Sequence, residues 1–393
     1  MEEKSLDNIE ISGIGVVSPA GNSPEAVFSA AVAPPPPAKL EFTGKSELDG
    51  AVGFFCDMSE ARLVLGAMKI RRLGRLQIMS LLAAKKAFLS ADIKVSGTDT
   101  GVYVGTGLGS LGETAAFLEN MIQLGENFPK PANFINSVHN AAASSLALEF
   151  SLKGENITVA HREISFDAAL WHALSGLKQG RVKNAVVCGA DELNYYHVLA
   201  GSDKGLWKTE GQPFQPLAPG NSRGTFPGEG AAVCVLSSGG QTGGNEAPVK
   251  VLGVKFGRYR RDMHTYINLR DAGDFLERLM DSAGIKASEV DLLLSGADGD
   301  ARLDAVYLRV GAELARRAGR AVPQGTYKQL CGDYRAASGF GFVAAAQILR
   351  TGRAPAGFFP GGQDIPDGSI KTILLYAISR SGAHSGCVLG REW

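Results

Sequence analysis

Short apolar runs rich in β-branched residues alternate along this chain with helix-length amphipathic runs, and the alternation starts twice. "IEISGIGVVSP" (9–19), "TGVYVGTG" (100–107), "ITVA" (157–160), "KNAVVCGADE" (183–192) and "GAAVCVLSS" (230–238) have the length and composition of strands. Helical patterns lie between them, among them "RLGRLQIMSLLAAKKAFLSA" and "FDAALWHALSGLKQG". A polar, glycine-rich stretch, "GGQTGGNEAP" (239–248), reads as a linker. Beyond it the order restarts with strand "VKVLGVKFG", helix "DFLERLMDSAG", strand "VDLLLSGAD" and helix "LDAVYLRVGAELARRAG". The helix "GFVAAAQILRTG" and the strands "TILLYAIS" and "GCVLG" close the chain. The repeated order predicts an α/β protein of two duplicated halves, 1–240 and 247–393. Strands this continuously apolar are buried on both faces, which predicts parallel sheets covered by helices.

Composition narrows the partners. Lysine plus arginine equals aspartate plus glutamate, 40 against 40, so nothing draws the chain to nucleic acid or an anionic membrane in general. Arg71, Arg72 and Arg75 form either a solvated helix face or a local patch for an acidic carrier. With 45% apolar and 20% charged residues, the chain is globular. The five cysteines show no CxxC spacing and read as small buried hydrophobes in a reducing compartment. No cofactor is expected. The acidic start "MEEKSLDNIE" is unlike a signal peptide, and no apolar run reaches the roughly 18 residues of a membrane span. A cytoplasmic location is expected. The tetraproline Pro34–Pro37 reads as a rigid surface loop.

The stretch "ITVAHREISFDAAL" (157–170) passes from buried strand to helix through His161, Arg162 and Glu163. Such a strand-to-helix elbow commonly holds a nucleophile. Ser165 has no evident base beside it, so capping of the helix is its better reading. His161, a lone histidine at a turn, reads as structural.

The ordered set of motifs resembles the β-ketoacyl-acyl carrier protein synthase family. "ISGIGVVSPAGNS" is similar to that family's first strand and loop, and "GVYVGTGLGSLGET" to its second strand with a glycine-rich turn. "PANFINSVHNAAASSLALEFSLKGEN" resembles the approach to the elbow. "PFQPLAPGNSRGTFPGEGAAVCVL" resembles the stretch ending in Gly-Glu-Gly, with Pro213, Phe214 and Gly228 to Gly230 in place. The resemblance covers nearly the whole chain. It implies a thiolase-like fold, with the two halves forming a five-layer αβαβα sandwich.

The resemblance also implies where chemistry should sit. The family's acyl-accepting cysteine is activated at a helix N-terminus, where unpaired N–H groups favour a thiolate. Glu163 occupies that position. The first histidine should follow "VDLLLS", where this chain has Gly296, Ala297 and Asp298. The second should follow Lys-x-x-x-Gly; Lys328 and Gly332 are present, but Asp333 stands next. The closing glycine-rich segment with its gating Phe is "SRSGAHSG", with Arg380 near the gate and only Gly382 and Gly386 matching. No histidine lies between His264 and His384. A carboxylate is a poor acyl acceptor, because the product is an anhydride, and an aspartate cannot donate to an enolate as a histidine does. Condensation activity is therefore expected to be absent, with no catalytic residue. Glu163 is expected to pair with Lys328 or Arg380, and Asp333 with the other base, plugging the old site; otherwise Glu163 and Arg162 form a solvated turn.

Three functions follow from the resemblance. The first is a silent chain-length-factor-type subunit that pairs with an active ketosynthase in fatty acid, polyketide or aryl polyene biosynthesis, with "PANFINSVHNAAASS" as the dimer surface. The second is a decarboxylase or acyltransferase of altered mechanism. The third is a non-catalytic homodimer that binds acyl chains or an acyl carrier protein.

Overall fold

The computed structural model describes residues 9–42, 45–91, 97–125, 130–238, 248–258, 269–363 and 365–391. The linker read at 239–248 lies, except for Pro248, outside the described residues, as do the first eight residues and His264. Ten strands carry the fold. In the first half they are β1 (Ile9–Val17), β2 (Thr100–Gly105), β3 (Asn156–Val159), β4 (Asn184–Asp191) and β5 (Gly230–Ser238). In the second they are β6 (Val249–Arg258), β7 (Leu292–Ser295), β8 (Gln324–Thr326), β9 (Thr372–Ile378) and β10 (Ala383–Arg391).

Their spatial order is β3-β2-β4-β5-β1-β6-β10-β9-β7-β8. Each half thus repeats one order, third-second-fourth-fifth-first, and the halves meet through their first strands at the antiparallel pair Glu10–Lys250. The strand directions differ from the expectation of parallel sheets. β3, β2 and β4 are parallel, as are β8, β7 and β9, but β5 and β10 run antiparallel to both neighbours. Continuous apolarity reports burial of both faces, and helices on both faces impose that burial whatever the strand direction.

The main helices are α1 (Pro24–Ala30), α2 (Arg75–Ser90), α3 (Leu111–Leu124), α4 (Pro131–Ser137), α5 (Ala141–Phe150), α6 (Ser165–Lys178), α7 (Leu269–Ala283), α8 (Ala301–Ala318) and α9 (Ser338–Thr351). Side chains on successive residues of a strand point to opposite faces, and the cores divide accordingly. On β5, Ala232, Cys234 and Leu236 enter a central core with α6 and α9, while Ala231, Val233 and Val235 enter an outer core with α2 and α5. On β9, Ile373 and Leu375 face the central core, and Leu374, Tyr376 and Ile378 face a second outer core with α7 and α8. Outer helices, sheet, α6 with α9, sheet and outer helices make the five layers. No described helix is long and apolar enough to cross a membrane.

Candidate functional site

The elbow after β3 is built from short-range hydrogen bonds. Arg162 adopts φ +52°, a left-handed conformation that non-glycine residues rarely take. Ser165 holds it there: its Oγ donates to the Arg162 carbonyl at 2.6 Å and accepts from the His161 N–H at 2.9 Å. This corrects the capping expectation, since Ser165 is itself the first residue of α6 and its hydroxyl fastens the turn before the helix.

Glu163 projects from this turn to the site, and its partner is Arg335. The structure therefore corrects the expected pairing with Lys328 or Arg380. Lys328 Nζ instead binds Asp333 at 2.5 Å, and Arg380 spans Asp298 at 2.6 Å and Asp300 at 2.7 Å. Arg302 also binds Asp300, at 2.9 Å. Arg335 reaches the elbow across Gly107, where a Cβ would lie 2.1 Å from the Arg335 Cβ. Only glycine leaves that passage. Arg335 was not among the residues singled out in the sequence; its only signal is its place two residues after Asp333.

Glu163, Asp298, Asp300 and Asp333 thus face Lys328, Arg302, Arg335 and Arg380, four carboxylates against four cations. Burial works against the Lys328 ammonium, yet the carboxylates of Asp333 and Asp298 overcome it and hold its pKa above the ordinary value. Burial alone would raise Asp333, but Lys328 and Arg380 bring it below the usual carboxylate range. For Asp300, burial is outweighed by hydrogen bonds from Arg302 and Arg380, and its pKa falls. For Asp298, fully enclosed, burial wins over Arg380 and Lys328 and the pKa rises.

The cavity among these side chains measures about 40 Å³. At roughly 10–15 Å³ per water, that is room for about three waters and not for an acyl chain. Gly296 does not line it; a Cβ there would meet the Tyr307 and Tyr327 hydroxyls at 3.1 and 3.2 Å, and Asp298, two residues on, faces the cavity instead. Among the described residues no histidine lines it. His161 is exposed and, together with Glu163, lines a neighbouring hollow of about 280 Å³. His197 packs edge-on against Trp207, and burial, with Arg335 adding to it, pushes its pKa down to about 4. The described residues form no cluster of three or more His, Cys, Asp or Glu suited to a metal ion.

Two buried carboxylates frame the site. Asp191, at the end of β4, accepts from the Thr106 hydroxyl and the N–H groups of Gly107 and Leu108, and its other oxygen accepts from Ala336 N–H at 2.7 Å. It ties the turn after β2 to the segment that carries Arg335. Glu229, the acid of Gly-Glu-Gly, is fully enclosed and binds Arg75 and the N–H groups of Cys56 and Leu193. Arg75 therefore leaves the supposed basic patch: its guanidinium is held by Glu229 and lies over the Phe55 ring at 3.8 Å, while Arg71 and Arg72 stay exposed.

An apolar face lies on α3 and α4. Phe134, Ile135 and Val138 of the stretch 131–145 are 57%, 67% and 42% exposed, next to α3, whose Leu118, Ile122 and Leu124 are also open to solvent. β3 lies at the end of the strand order, so among the described residues one of its edges is unpaired.

Known proteins share this fold. The family model described as "Beta-ketoacyl synthase, N-terminal domain" matches residues 39–241. The chain is 23% identical over 298 residues to the Arabidopsis thaliana protein "3-oxoacyl-[acyl-carrier-protein] synthase I, chloroplastic"; the match covers 72% of this chain and 62% of that protein, less than two thirds of its length. Among solved structures, the ishigamide ketosynthase/chain length factor aligns with a TM-score of 0.75 at 21% identity, covering 98% of this chain and all of that one. The ketosynthase ApeO in complex with its chain length factor ApeC, from Xenorhabdus doucetiae, aligns with a TM-score of 0.78 at 17% identity, covering 98% of each chain. At these identities the structural likeness is one of fold.

Proposed function

We propose a function from one premise: the chain belongs to the β-ketoacyl synthase family, whose model spans residues 39–241. It acts as a non-condensing, chain-length-factor-type subunit that pairs with an active ketosynthase serving an acyl carrier protein. The observation that carries this is the neutralised ion cluster in place of a nucleophile and two histidines, around a cavity of about 40 Å³.

The chemistry supports it. Condensation needs a thiolate to take the acyl group and neutral or cationic donors to stabilise the enolate. Glu163 in an ion pair with Arg335 is neither a free nucleophile nor a donor. Asp333 is acceptor-only when ionised, and Lys328 is committed to it. The exposed apolar face on α3 and α4 supports a partner, because contiguous apolar patches of this kind on a folded surface mark interfaces. A chain that closes its own site and keeps an open apolar face suits a shaping and supporting role beside a working subunit.

The test is native mass spectrometry of the tagged protein purified from its own host, with the partner identified by peptide sequencing. A one-to-one complex with a cysteine-bearing ketosynthase is expected. A homodimer without such a partner overturns the proposal. Release of carbon dioxide from a malonyl carrier by the chain alone also overturns it, in favour of an altered decarboxylase.

A further inference from the structure

Helix α9 runs through the middle layer, and one of its residues is out of keeping with that place. Gly339 to Leu349 are all buried, and Gln347 alone among them has a polar side chain. Gln347 is 8% exposed. Its backbone carbonyl accepts from the Thr351 hydroxyl at 2.8 Å, but neither end of its side-chain amide has a hydrogen-bond partner among the described residues. Neither amide atom is sealed from solvent, in contrast to the enclosed Oε1 of Gln329. Burying an amide without a partner costs about 1–3 kcal/mol, a cost that a leucine of similar size would not incur.

The accessible part of Gln347 lines a cleft of about 490 Å³ between α1 and the C-terminal end of α9. That volume lies in the range of roughly 300–1,000 Å³ typical of small-molecule sites. Phe28 and Val32 form one apolar wall, and Pro355 and Ile365 the other. The walls are fixed in advance. Phe28 packs edge-on against Phe358 with ring centroids 5.9 Å apart, and a Cβ on Gly357 would lie 1.4 Å from the Ala31 carbonyl oxygen, so the segment after α9 abuts the end of α1.

The charges stay at the mouth. Arg353 and Asp367 pair there at 3.7 Å with side chains 74% and 71% exposed, and Glu25 is exposed as well. The inner end of the cleft therefore offers one polar group, a neutral amide with two N–H donors and a carbonyl acceptor side by side. A carboxylate could only accept from it and an ammonium could only donate to it, and either charge would lose its hydration against apolar walls. A group that answers both ends at once carries its own N–H and C=O on one edge.

We infer that this cleft binds a small, neutral molecule with an apolar body and a cis-amide edge, as in a lactam, a cyclic imide or a pyrimidine-type ring, which pairs with both ends of the Gln347 amide. The inference is independent of the silent-subunit assignment and survives its failure.

Two probes of matched shape test it: 2-quinolinone, a bicyclic lactam, and its N-methyl derivative, which keeps the carbonyl and lacks the N–H. Binding is followed by isothermal titration and by the fluorescence of the probes. The lactam should bind about tenfold more tightly, the worth of one good hydrogen bond. Gln347→Leu should weaken the lactam and make the two probes bind alike. The Gln347 amide has no partner among the described residues, so this variant should keep the native urea midpoint. Should it fail to fold, Ser29→Trp decides. Ser29 is an exposed residue of α1 that lines the cleft, and its hydroxyl donates only within its own helix, to the Glu25 carbonyl at 3.0 Å. A tryptophan there fills the cleft and should abolish binding of both probes with the circular dichroism spectrum unchanged. The inference falls if neither probe binds the native protein up to about 1 mM, if the two bind equally, or if a folded Gln347→Leu or Ser29→Trp variant binds the lactam as the native protein does. A crystal soaked with the lactam that shows only water on the Gln347 amide overturns it as well.

Discussion

Replacing Lys328 by methionine keeps an unbranched side chain, one atom shorter, and removes its charge. In the native protein Lys328 is 13% exposed at its side chain and binds Asp333, which is 21% exposed, while Asp298 at 1% lies within its field. Breaking one partner out of a buried pair costs about 3–5 kcal/mol, because the remaining carboxylate stays desolvated without its cation. Asp333 retains some water, so the lower end applies, about 3 kcal/mol. The same change at an exposed pair costs about 0–1 kcal/mol. Urea denaturation followed by tryptophan fluorescence separates the two values, and the double variant Lys328→Met with Asp333→Leu should recover most of the loss. The dependence on pH has a definite sign. Asp333 has a depressed folded pKa, so its share of stability is present above the unfolded value of about 3.9 and is lost as pH falls through the folded one. Lys328 has a raised folded pKa, so its share is full below about 10.4 and is lost as pH rises through the folded value. The methionine variant should therefore be most impaired near pH 7 and less so near pH 4, where Asp333 can take a proton. A loss below about 1 kcal/mol at pH 7 would refute the picture of a desolvated cluster.

Other outcomes follow from the same geometry. Arg75→Met strands the fully enclosed Glu229 and should lower stability by about 3–5 kcal/mol, measured by the same urea titration. Phe134→Glu combined with Ile135→Glu should weaken the proposed heterodimer at least about 30-fold, from the roughly 2 kcal/mol of an interface hot spot, with the monomer's own melting unchanged. Burial raises the Asp167 carboxyl to about 6, partly offset by the Ser338 hydroxyl. A raised folded pKa means stability is lost as pH climbs from about 4 to 6. Asp167→Asn should therefore be stabilising at pH 8 and lose that advantage at pH 4; an equal effect at both would contradict the assignment.

The order of strands and helices, the restart of the pattern and the elbow at 161–165 are written in local periodicity, and so they were legible. So were the residue types at the positions where the resemblance expects a cysteine and histidines, Glu163, Gly296 to Asp298 and Asp333, since a residue type is visible wherever it ends up in space. The partners of the charges were not. Glu163 and Arg335 are 172 residues apart, and Arg75 and Glu229 are 154 apart. Glu163 faced three bases in one neighbourhood, and no periodicity says which it meets. That choice is made by the open passage over Gly107 and by the clamp of Asp191 on Ala336. Strand direction was hidden for a related reason, because burial of both faces leaves the same apolar signature in a parallel or an antiparallel strand. The sequence by itself determined a duplicated α/β chain with carboxylates, Glu163 and Asp333, where the family resemblance puts a cysteine and a histidine. Only the tertiary structure decided that these carboxylates are held by paired charges, because pairing energy depends on distances that fall to a few ångströms only after the two halves have packed.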